Sequence, residues 1–359
     1  MQGICLWKRY FYKEIAKTYC FILFCFYFLY VSLDLMAHIK DLHSSGVSLQ
    51  TLSTYYLCIF SKRLDILLPF TILVGTIRLL LNFQSKNEFV ALLTSGISNK
   101  KLLQPFLVAA SLASLALYAN FEFILPKALP QAIFIQESHF GKSAVQELEV
   151  PFREVMLKDG SRMIYRTYNP SVKEFQDVFW VASLDMIYHM KQLSFDPLPP
   201  TAKFVDMISR DQNGFLQKTA SWKLIQMRQM QFDVESLKNS ITPIPEQSMT
   251  QLFSQMLLYS NSSSDRANEI RNNFYYKCSF PLICILAFVA VCPYCMCFSR
   301  SGLPTLMIYL VSISGLFCFF LLLQVAFVLG KSQIITPWLA TLVPWTLAFL
   351  FLGKKYGTL

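Results

Sequence analysis

Six long apolar runs alternate with polar stretches along the chain. They cover residues 19–36, 64–81, 102–121, 280–298, 306–329 and 335–352. Each run is close to the roughly 20 residues that a helix needs to cross a bilayer. The pattern therefore predicts six membrane-spanning helices arranged in two halves, residues 1–125 and residues 278–359.

A polar section, residues 126–277, separates the two halves. Four of its segments are rich in the β-branched and aromatic residues that favour strands: 153–168, 175–184, 202–208 and 221–232. Asp159-Gly160 and Asn213-Gly214 are pairs typical of tight hairpin turns. The section contains no cysteine, so it depends on its own apolar core for stability. We therefore expect an inserted all-β domain, a sandwich or jelly roll, in a polytopic α-helical membrane protein.

Composition and charge agree with this class. Hydrophobic residues make up 54% of the chain and charged residues 15%, whereas soluble domains carry about 25% charged residues. The net charge of +10 comes from Lys and Arg clustered at the ends of apolar runs, which is typical of topology signals and not of a nucleic-acid surface. Their distribution among the short loops predicts that both termini are cytoplasmic and that residues 126–277 lie outside.

The stretch between the second and third runs, residues 85–101, has the features of a short amphipathic surface helix. Ser85 and Glu88 have the spacing of a capping box, and Gly96 is suited to end the helix. Three apolar residues share one helical face: Phe89, Leu92 and Leu93. Such a helix either fills a groove on a partner protein or rests on the lipid surface, and the pattern allows both.

Motifs for catalysis or nucleotide binding are incomplete. Gly141-Lys142-Ser143 resembles the end of a phosphate-binding loop, but Gln136 replaces the first glycine of that motif. Three cysteines near the end of the fourth run include a C-x-x-C spacing: Cys292, Cys295 and Cys297. They either take part in metal or redox chemistry or are ordinary apolar residues of a membrane helix. We expect neither catalytic residues nor a metal site.

Charged residues cluster near the ends of the spans that we place outside. Four of them are basic: Lys40, Lys62, Arg63 and Lys127. They either extend to the lipid headgroups or form a rim that binds an anionic, partly apolar substrate. The sequence alone leaves both interpretations open.

Five motifs resemble, in the same order, those of the LptF/LptG (YjgP/YjgQ) permease family, which exports lipopolysaccharide in Gram-negative bacteria. They lie at residues 7–14 (WKRYFYKE), 68–75, 87–98 (NEFVALLTSGIS), 121–126 (FEFILP) and 336–344 (TPWLATLVP). Together they extend over nearly the whole chain. The motifs of the second and last runs look more similar to LptG than to LptF.

The resemblance implies a transport subunit without a nucleotide site or cofactor of its own. Such a subunit pairs in the inner membrane with a second LptF/LptG-type permease and with a separate ABC ATPase similar to LptB, which hydrolyses ATP. Segment 85–96 is then the coupling helix in the ATPase groove. The residues implied for this contact are Glu88, Phe89, Ala91, Leu92, Gly96 and Ile97.

Lipopolysaccharide is the substrate that the resemblance implies. It is extracted from the inner membrane and passed to periplasmic bridge proteins similar to LptC and LptA, which share the jelly-roll fold expected of the outer β domain. The basic rim is the expected substrate site. The alternative is a membrane-anchored scaffold whose β domain binds a periplasmic partner without transport.

Overall fold

The computed structural model describes residues 6–45, 48–139, 153–157, 159–169, 174–195, 199–211, 214–228, 230, 242–259, 264–296 and 304–357. These residues divide into two compact units. The helical unit draws its described residues from Met1–Gly141, Ser248–Thr250 and Arg271–Leu359, and the β unit draws its own from Lys142–Gln247 and Gln251–Ile270. Each unit has an apolar core of its own.

The described part of the chain is mostly helical. Its α-helices are α1 (Leu6–Ser45), α2 (Leu49–Ser85), α3 (Glu88–Thr94), α4 (Asn99–Ala119), α5 (Leu125–His139), α6 (Met249–Leu258), α7 (Asp265–Ser279), α8 (Ile283–Cys295), α9 (Thr305–Lys331) and α10 (Pro337–Gly357). A 3₁₀ turn (Phe280–Leu282) joins α7 to α8, and another (Ile244–Glu246) precedes α6.

Six helical stretches in the described part are long and apolar enough to cross a membrane. They are Trp7–His38, Leu49–Ser85, Asn99–Gln136, Asp265–Cys295, Thr305–Lys331 and Pro337–Lys354. This confirms the prediction of six spans. The helices are longer than the apolar runs because a helix continues through polar residues at its ends, where its hydrogen bonds do not depend on hydropathy.

Aromatic and aliphatic side chains fill the core of the helical unit. Fully buried members include Phe11, Ile72, Leu73, Ile77, Phe83, Phe106, Phe280 and Phe288. Gly75 allows close contact between α1 and α2, because an added Cβ there would lie 2.6 Å from the Tyr19 ring. The Tyr19 hydroxyl shares a hydrogen bond of 2.7 Å with Thr76 Oγ1 beside this contact. The α1–α2 pair is therefore closely packed at mid-length.

A π-helical turn, Asn120–Ile124, joins α4 to α5 within the third span. Its first residue forms a reciprocal pair with Ser61 of α2. Ser61 Oγ donates to Asn120 Oδ1 at 2.6 Å, and Asn120 Nδ2 donates to the Ser61 carbonyl at 2.9 Å. Both residues are buried, so the pair satisfies polar groups that would otherwise be costly inside the bundle.

The β unit contains one six-stranded antiparallel sheet. Its strands are β1 (Arg153–Met156), β2 (Arg162–Asn169), β3 (Glu174–Ser183), β4 (Met186–Ser194), β5 (Thr201–Arg210) and β6 (Leu216–Gln226). Strands adjacent in the chain are adjacent in the sheet, so the described strands form a meander. The inserted β domain is confirmed. The jelly roll stays a prediction, because it requires crossing connections that the described strands do not include.

One face of the sheet covers an apolar core. The buried residues of the strands are Val155, Met163, Tyr165, Phe175, Val178, Trp180, Met190, Leu193, Ala202 and Val205. Alternation along β3 and β5 is interrupted at Asp177 and Phe204, which have φ of 54° and 53° and no partner in the ladders. Neither residue shifts the register of its strand; the register shifts of the described sheet lie between Val181 and Ser183 in β3 and between Met207 and Ile208 in β5.

Two of the expected turns are present. Gly160 between β1 and β2 has φ 81°, and Gly214 between β5 and β6 has φ 83°, a conformation that favours glycine. Asn213 lies outside the described residues. The strand β4 was not predicted, because Lys191 and Gln192 fall next to each other and interrupt its apolar alternation.

Candidate functional site

The helix α3 is shorter than predicted and begins differently. Ser85 lies in the last turn of α2, where its Oγ donates to the Asn82 carbonyl at 2.9 Å. Asn87 precedes α3 with φ 58° and makes no side-chain capping bond. The predicted capping box between Ser85 and Glu88 is therefore wrong. A residue that remains helical in α2 does not adopt the extended conformation that an N-cap requires.

The end of α3 follows the prediction for Gly96. This residue has φ 87°, its backbone N–H donates to the Leu93 carbonyl at 3.0 Å, and the Ile97 N–H donates to the Leu92 carbonyl at 3.2 Å. These two bonds are those of a Schellman motif, which satisfies the last carbonyls of a helix. The loop that follows α3 thus has a defined direction.

An aromatic socket, formed by Phe11 of α1, Phe83 of α2 and Phe106 of α4, receives Phe89. The Phe89 ring lies 6.1 Å from the Phe11 ring and 5.7 Å from the Phe83 ring, and it is fully buried. The predicted apolar face of α3 is therefore turned into the chain's own core. We correct the assignment of Phe89 as a contact with a partner, because no surface of this ring remains available.

Leu92 and Ile97 belong to the same inward side of α3. Both are half-buried and pack against the apolar core of the helical unit. Ala91 and Gly96 are exposed, and Glu88 is half-exposed and accepts a bond of 3.4 Å from the Tyr10 hydroxyl of α1. Of the six residues predicted for coupling, Ala91 and Gly96 thus lie on an accessible surface, and Glu88 does so in part.

The accessible face of α3, which we call the α3 outer face, consists of Val90, Ala91 and Thr94. Val90 is 42% exposed, and the Thr94 hydroxyl donates back to the Ala91 carbonyl at 2.9 Å. This face is small, uncharged and free of unsatisfied hydroxyls, so it is suited to contact with a protein groove. Sequence analysis missed Val90 and Tyr10. The signal for Val90 was its position about 100° around the helix from Phe89, outside the apolar face.

The opposite end of the α1–α2 pair carries a polar cluster. The Tyr56 hydroxyl donates to Asp34 Oδ2 at 3.1 Å, and the Arg63 guanidinium lies 5.1 Å from the centre of the Tyr30 ring. Arg63 is half-buried, and its Nε has no hydrogen-bond partner among the described residues. A planar cation with an unused donor can bind a phosphate or carboxylate.

The other basic residues of the predicted rim do not join this cluster. Lys62 and Lys127 are exposed, and the described residues form neither an ion pair nor a hydrogen bond with them. The backbone of Lys40 belongs to α1, but its side chain lies outside the described residues. Of the three predicted basic residues whose side chains the structure describes, Arg63 is the one that packs on a ring of α1.

The cysteines of the C-x-x-C spacing lie in the core. Cys292 and Cys295 are buried in α8, and Cys297 lies outside the described residues. In the described ranges, no three His, Cys, Asp or Glu residues are grouped as a metal site would need. The packing of Cys292 and Cys295 gives a reagent no route to either thiol.

Among the described strands, β6 lies at one edge of the sheet and carries exposed apolar residues. Along β6, Trp222 and Leu224 are 36% and 64% exposed, although alternate apolar residues of a strand are usually buried on one face. Side-chain contacts accompany the backbone pairing of β6 with β5: Lys218 and Ser221 both donate to Asp206 and hold the pKa of its carboxyl below the ordinary range. An ordered apolar edge of this kind can bind another strand.

Comparison with known families adds the evolutionary context. The chain matches, over residues 9–353, the family model described as lipopolysaccharide export system permease LptF/LptG. The match includes both groups of membrane-spanning helices and the β-sheet between them. No curated protein sequence matches the chain.

Proposed function

Because the chain belongs to the LptF/LptG family of lipopolysaccharide export permeases, we propose that it is one permease subunit of an ATP-driven transporter. The transporter extracts lipopolysaccharide from the inner membrane and passes it to a periplasmic bridge toward the outer membrane. In this arrangement both termini and α3 are cytoplasmic, and the β unit is periplasmic. The single observation that carries the proposal beyond the family is the α3 outer face, held in place by Phe89 in the aromatic socket.

The α3 outer face is the proposed contact with a separate ABC ATPase similar to LptB. The Phe89 ring contacts the rings of Phe11 on α1 and Phe83 on α2, so both helices resist a displacement of α3. A push on Val90 or Ala91 is therefore transmitted to α1 and α2 together. The chain itself supplies the transmitting surface, and the partner supplies ATP hydrolysis.

Spans 1 and 5 are the proposed contacts with a second LptF/LptG-type permease and with entering lipid. Within an apolar stretch of 18 residues, only 6% of the residues are buried in Trp7–His38 and 17% in Thr305–Lys331, against 61% in Asp265–Cys295. Apolar helices with so little cover within their own chain are expected to line an interface or a cavity. Arg63, at one end of the α1–α2 pair, provides a cation for a lipopolysaccharide phosphate.

The exposed edge β6 is the proposed junction with bridge proteins similar to LptC and LptA. Trp222 and Leu224 lie two residues apart on one side of this strand and are paired with Val205 and Lys203 of β5. A further strand added at this edge would cover both apolar side chains and form main-chain hydrogen bonds with β6. The sheet would then continue into the partner.

Co-purification tests the ATPase contact. Ala91→Asp places a carboxylate on the α3 outer face, where burial in a partner groove costs enough to weaken association about tenfold or more. Thr305→Asp is the matched control, because it adds the same charge at an exposed first-turn position of α9, at the same end of the spans. The ATPase recovered per permease is measured by quantitative mass spectrometry. Equal recovery with both variants would remove α3 from the coupling interface.

The scaffold alternative shares the β6 edge but requires no substrate passage. A photo-crosslinking residue at Phe28, which is 63% exposed on α1, distinguishes the two functions. The transporter requires lipopolysaccharide cross-links at this position that decrease when ATP is hydrolysed. A scaffold gives cross-links that do not respond to ATP.

A further inference from the structure

A polar cavity of about 440 Å³ lies between α1 and α2, and neither α3 nor Arg63 is among its described lining residues. The α1 residues that line it fall at i, i+3, i+4 and i+7 of one helical face: Glu14, Lys17, Thr18 and Phe21. Arg78 and Asn82, one turn apart on α2, line the other side. Each helix thus presents one continuous face to the cavity.

Contacts on either side of the cavity hold its walls together. On one side, three residues before Glu14, the rings of Phe11 and Phe83 lie 4.6 Å apart. Next to Thr18, the Tyr19 hydroxyl shares a hydrogen bond of 2.7 Å with Thr76 Oγ1. The four residues that form these two contacts pack in or against the apolar core. The cavity is therefore a feature of the α1–α2 packing and not a gap between loose side chains.

The cavity lies at headgroup depth. Lys17 comes two residues before the first apolar run, 19–36, and Arg78 comes three residues before the end of the second run, 64–81. Lys and Arg at the ends of such runs extend their charged groups to the phosphate level of the bilayer. Phe21, 57% exposed, continues the wall of the cavity toward the hydrocarbon.

Two cations and one carboxylate meet in this cavity without neutralising one another. Among the described residues, no ion pair joins Glu14, Lys17 or Arg78 to any charged group. A phosphate accepts charge-assisted hydrogen bonds from ammonium and guanidinium groups, and a carboxylate accepts them from an ammonium group. The cavity is thus complementary to a ligand that carries both charges.

We propose that this cavity binds the headgroup of a membrane phospholipid that contains a phosphate and an ammonium group, as phosphatidylethanolamine does. Lys17 and Arg78 bind the phosphate, Glu14 binds the ammonium group, and Phe21 contacts the first part of the acyl chains. Phosphatidylglycerol has the same phosphate but presents a glycerol to Glu14, so it is the weaker ligand. This site is independent of the transport function proposed above.

Lipid retention measures the site directly. The full chain is purified with its accompanying subunits, equilibrated with micelles that contain equal amounts of phosphatidylethanolamine and phosphatidylglycerol, and analysed by native mass spectrometry. We expect wild type to retain phosphatidylethanolamine in preference. Arg78→Ala and Lys17→Ala should each lower retention about tenfold, the effect of losing one hydrogen bond to a charged group. Lys101→Ala, an exposed cation of α4 outside the cavity, should retain the lipid as wild type does.

Glu14→Gln tests the ammonium contact. We expect this variant to bind both lipids equally, because the phosphate contacts remain and the carboxylate is lost. A preference for phosphatidylglycerol in wild type, or an undiminished preference for phosphatidylethanolamine in Glu14→Gln, would overturn the proposal. Equal retention by wild type, Arg78→Ala and Lys17→Ala would overturn it as well. If Arg78→Ala does not fold, Lys17→Ala and Glu14→Gln decide the question alone.

Discussion

The two ends of the α1–α2 pair differ in the contacts that hold them together. At one end the contact is apolar, with Phe11, Phe83 and Phe89 all fully buried and their ring centres 4.6–6.1 Å apart. Close-packed aromatic rings have few alternative arrangements of similar energy. This end is built to keep α3 in one position.

At the other end, apolar packing of Tyr30 and Val31 against α2 is combined with a polar cluster that is incompletely satisfied. The Tyr56 hydroxyl is bonded to Asp34, but Arg63 packs on Tyr30 with an unused Nε donor. An unsatisfied buried donor costs stability unless a ligand completes it. The aromatic end is therefore rigid. The Arg63 end keeps a donor free for a ligand, and the unsatisfied donor lowers the stability of the free protein.

Phe89→Ala should produce the largest effect, because it empties the aromatic socket. A buried Phe replaced by Ala costs about 3–5 kcal/mol of unfolding free energy, and α3 should lose its fixed position. Denaturant unfolding of the purified chain in detergent measures the loss, and ATPase co-purification should fall with it. Phe89→Leu, which keeps most of the volume, should lose much less. A loss below about 1 kcal/mol for Phe89→Ala would show that the socket does not determine rigidity.

Arg63→Ala should have the next largest effect, and it should act on binding and not on folding. Losing a hydrogen bond to a charged group weakens lipopolysaccharide binding by about 1.5–3 kcal/mol, or about tenfold and more. Cross-linking yield in native membranes measures this change, with thermal unfolding measured in parallel. Arg63→Lys keeps the charge but loses the planar stacking on Tyr30, so its cross-linking yield should lie between those of wild type and Arg63→Ala. A large drop in thermal stability of Arg63→Ala with unchanged cross-linking would show that Arg63 contributes to folding and not to binding.

Gly96→Ala should moderately destabilise the left-handed turn that ends α3. Its φ of 87° costs an L-residue about 1–2 kcal/mol. Gly353→Ala is the matched control, since that glycine lies within α10, is exposed and has open space around its Cβ position. The control should be neutral or slightly stabilising in the same unfolding assay, because alanine favours a helix. Equal effects for both would mean that the left-handed turn is not required.

Tyr56→Phe should have the smallest effect, because it removes one hydroxyl from the polar end. The expected cost is about 1 kcal/mol, the net value of one hydrogen bond, and thermal unfolding in detergent should detect it. Tyr12→Phe in α1 serves as the control, since no hydrogen bond is formed by that hydroxyl among the described residues. An unchanged thermal stability of Tyr56→Phe would indicate that water replaces the Tyr56 hydroxyl as the donor to Asp34.

Hydropathy predicted the spans because the bilayer requires contiguous apolar residues, a property that is local in sequence. The same local reasoning predicted a helix near Glu88 but failed on its start, because Ser85 continues the longer helix α2. The amphipathic pattern correctly grouped Phe89 with Leu92. It did not show to which side this face turns, since that depends on rings contributed by Phe11 and Phe106, far away in the chain.

The basic residues illustrate a second limit of sequence reasoning. Lys62 and Arg63 are neighbours in sequence and carry the same charge, but of the two only Arg63 packs on a ring of α1. The difference arises from their angular positions on α2, about 100° apart, combined with the antiparallel pairing that brings Tyr30 and Asp34 alongside. Such pairing is a tertiary property that one sequence does not specify.

The π turn Asn120–Ile124 sets the rotational phase of the second half of the third span. Successive residues of an α-helix are about 100° apart, and a π turn absorbs one additional residue. Ala128, Ala132 and Ile135 of α5 pack in one cluster with Tyr55 and Ile59 of α2. Deleting a single residue of the turn would rotate α5 by about this angle and carry that small-residue face away from α2. In this span, residue count matters as much as residue identity.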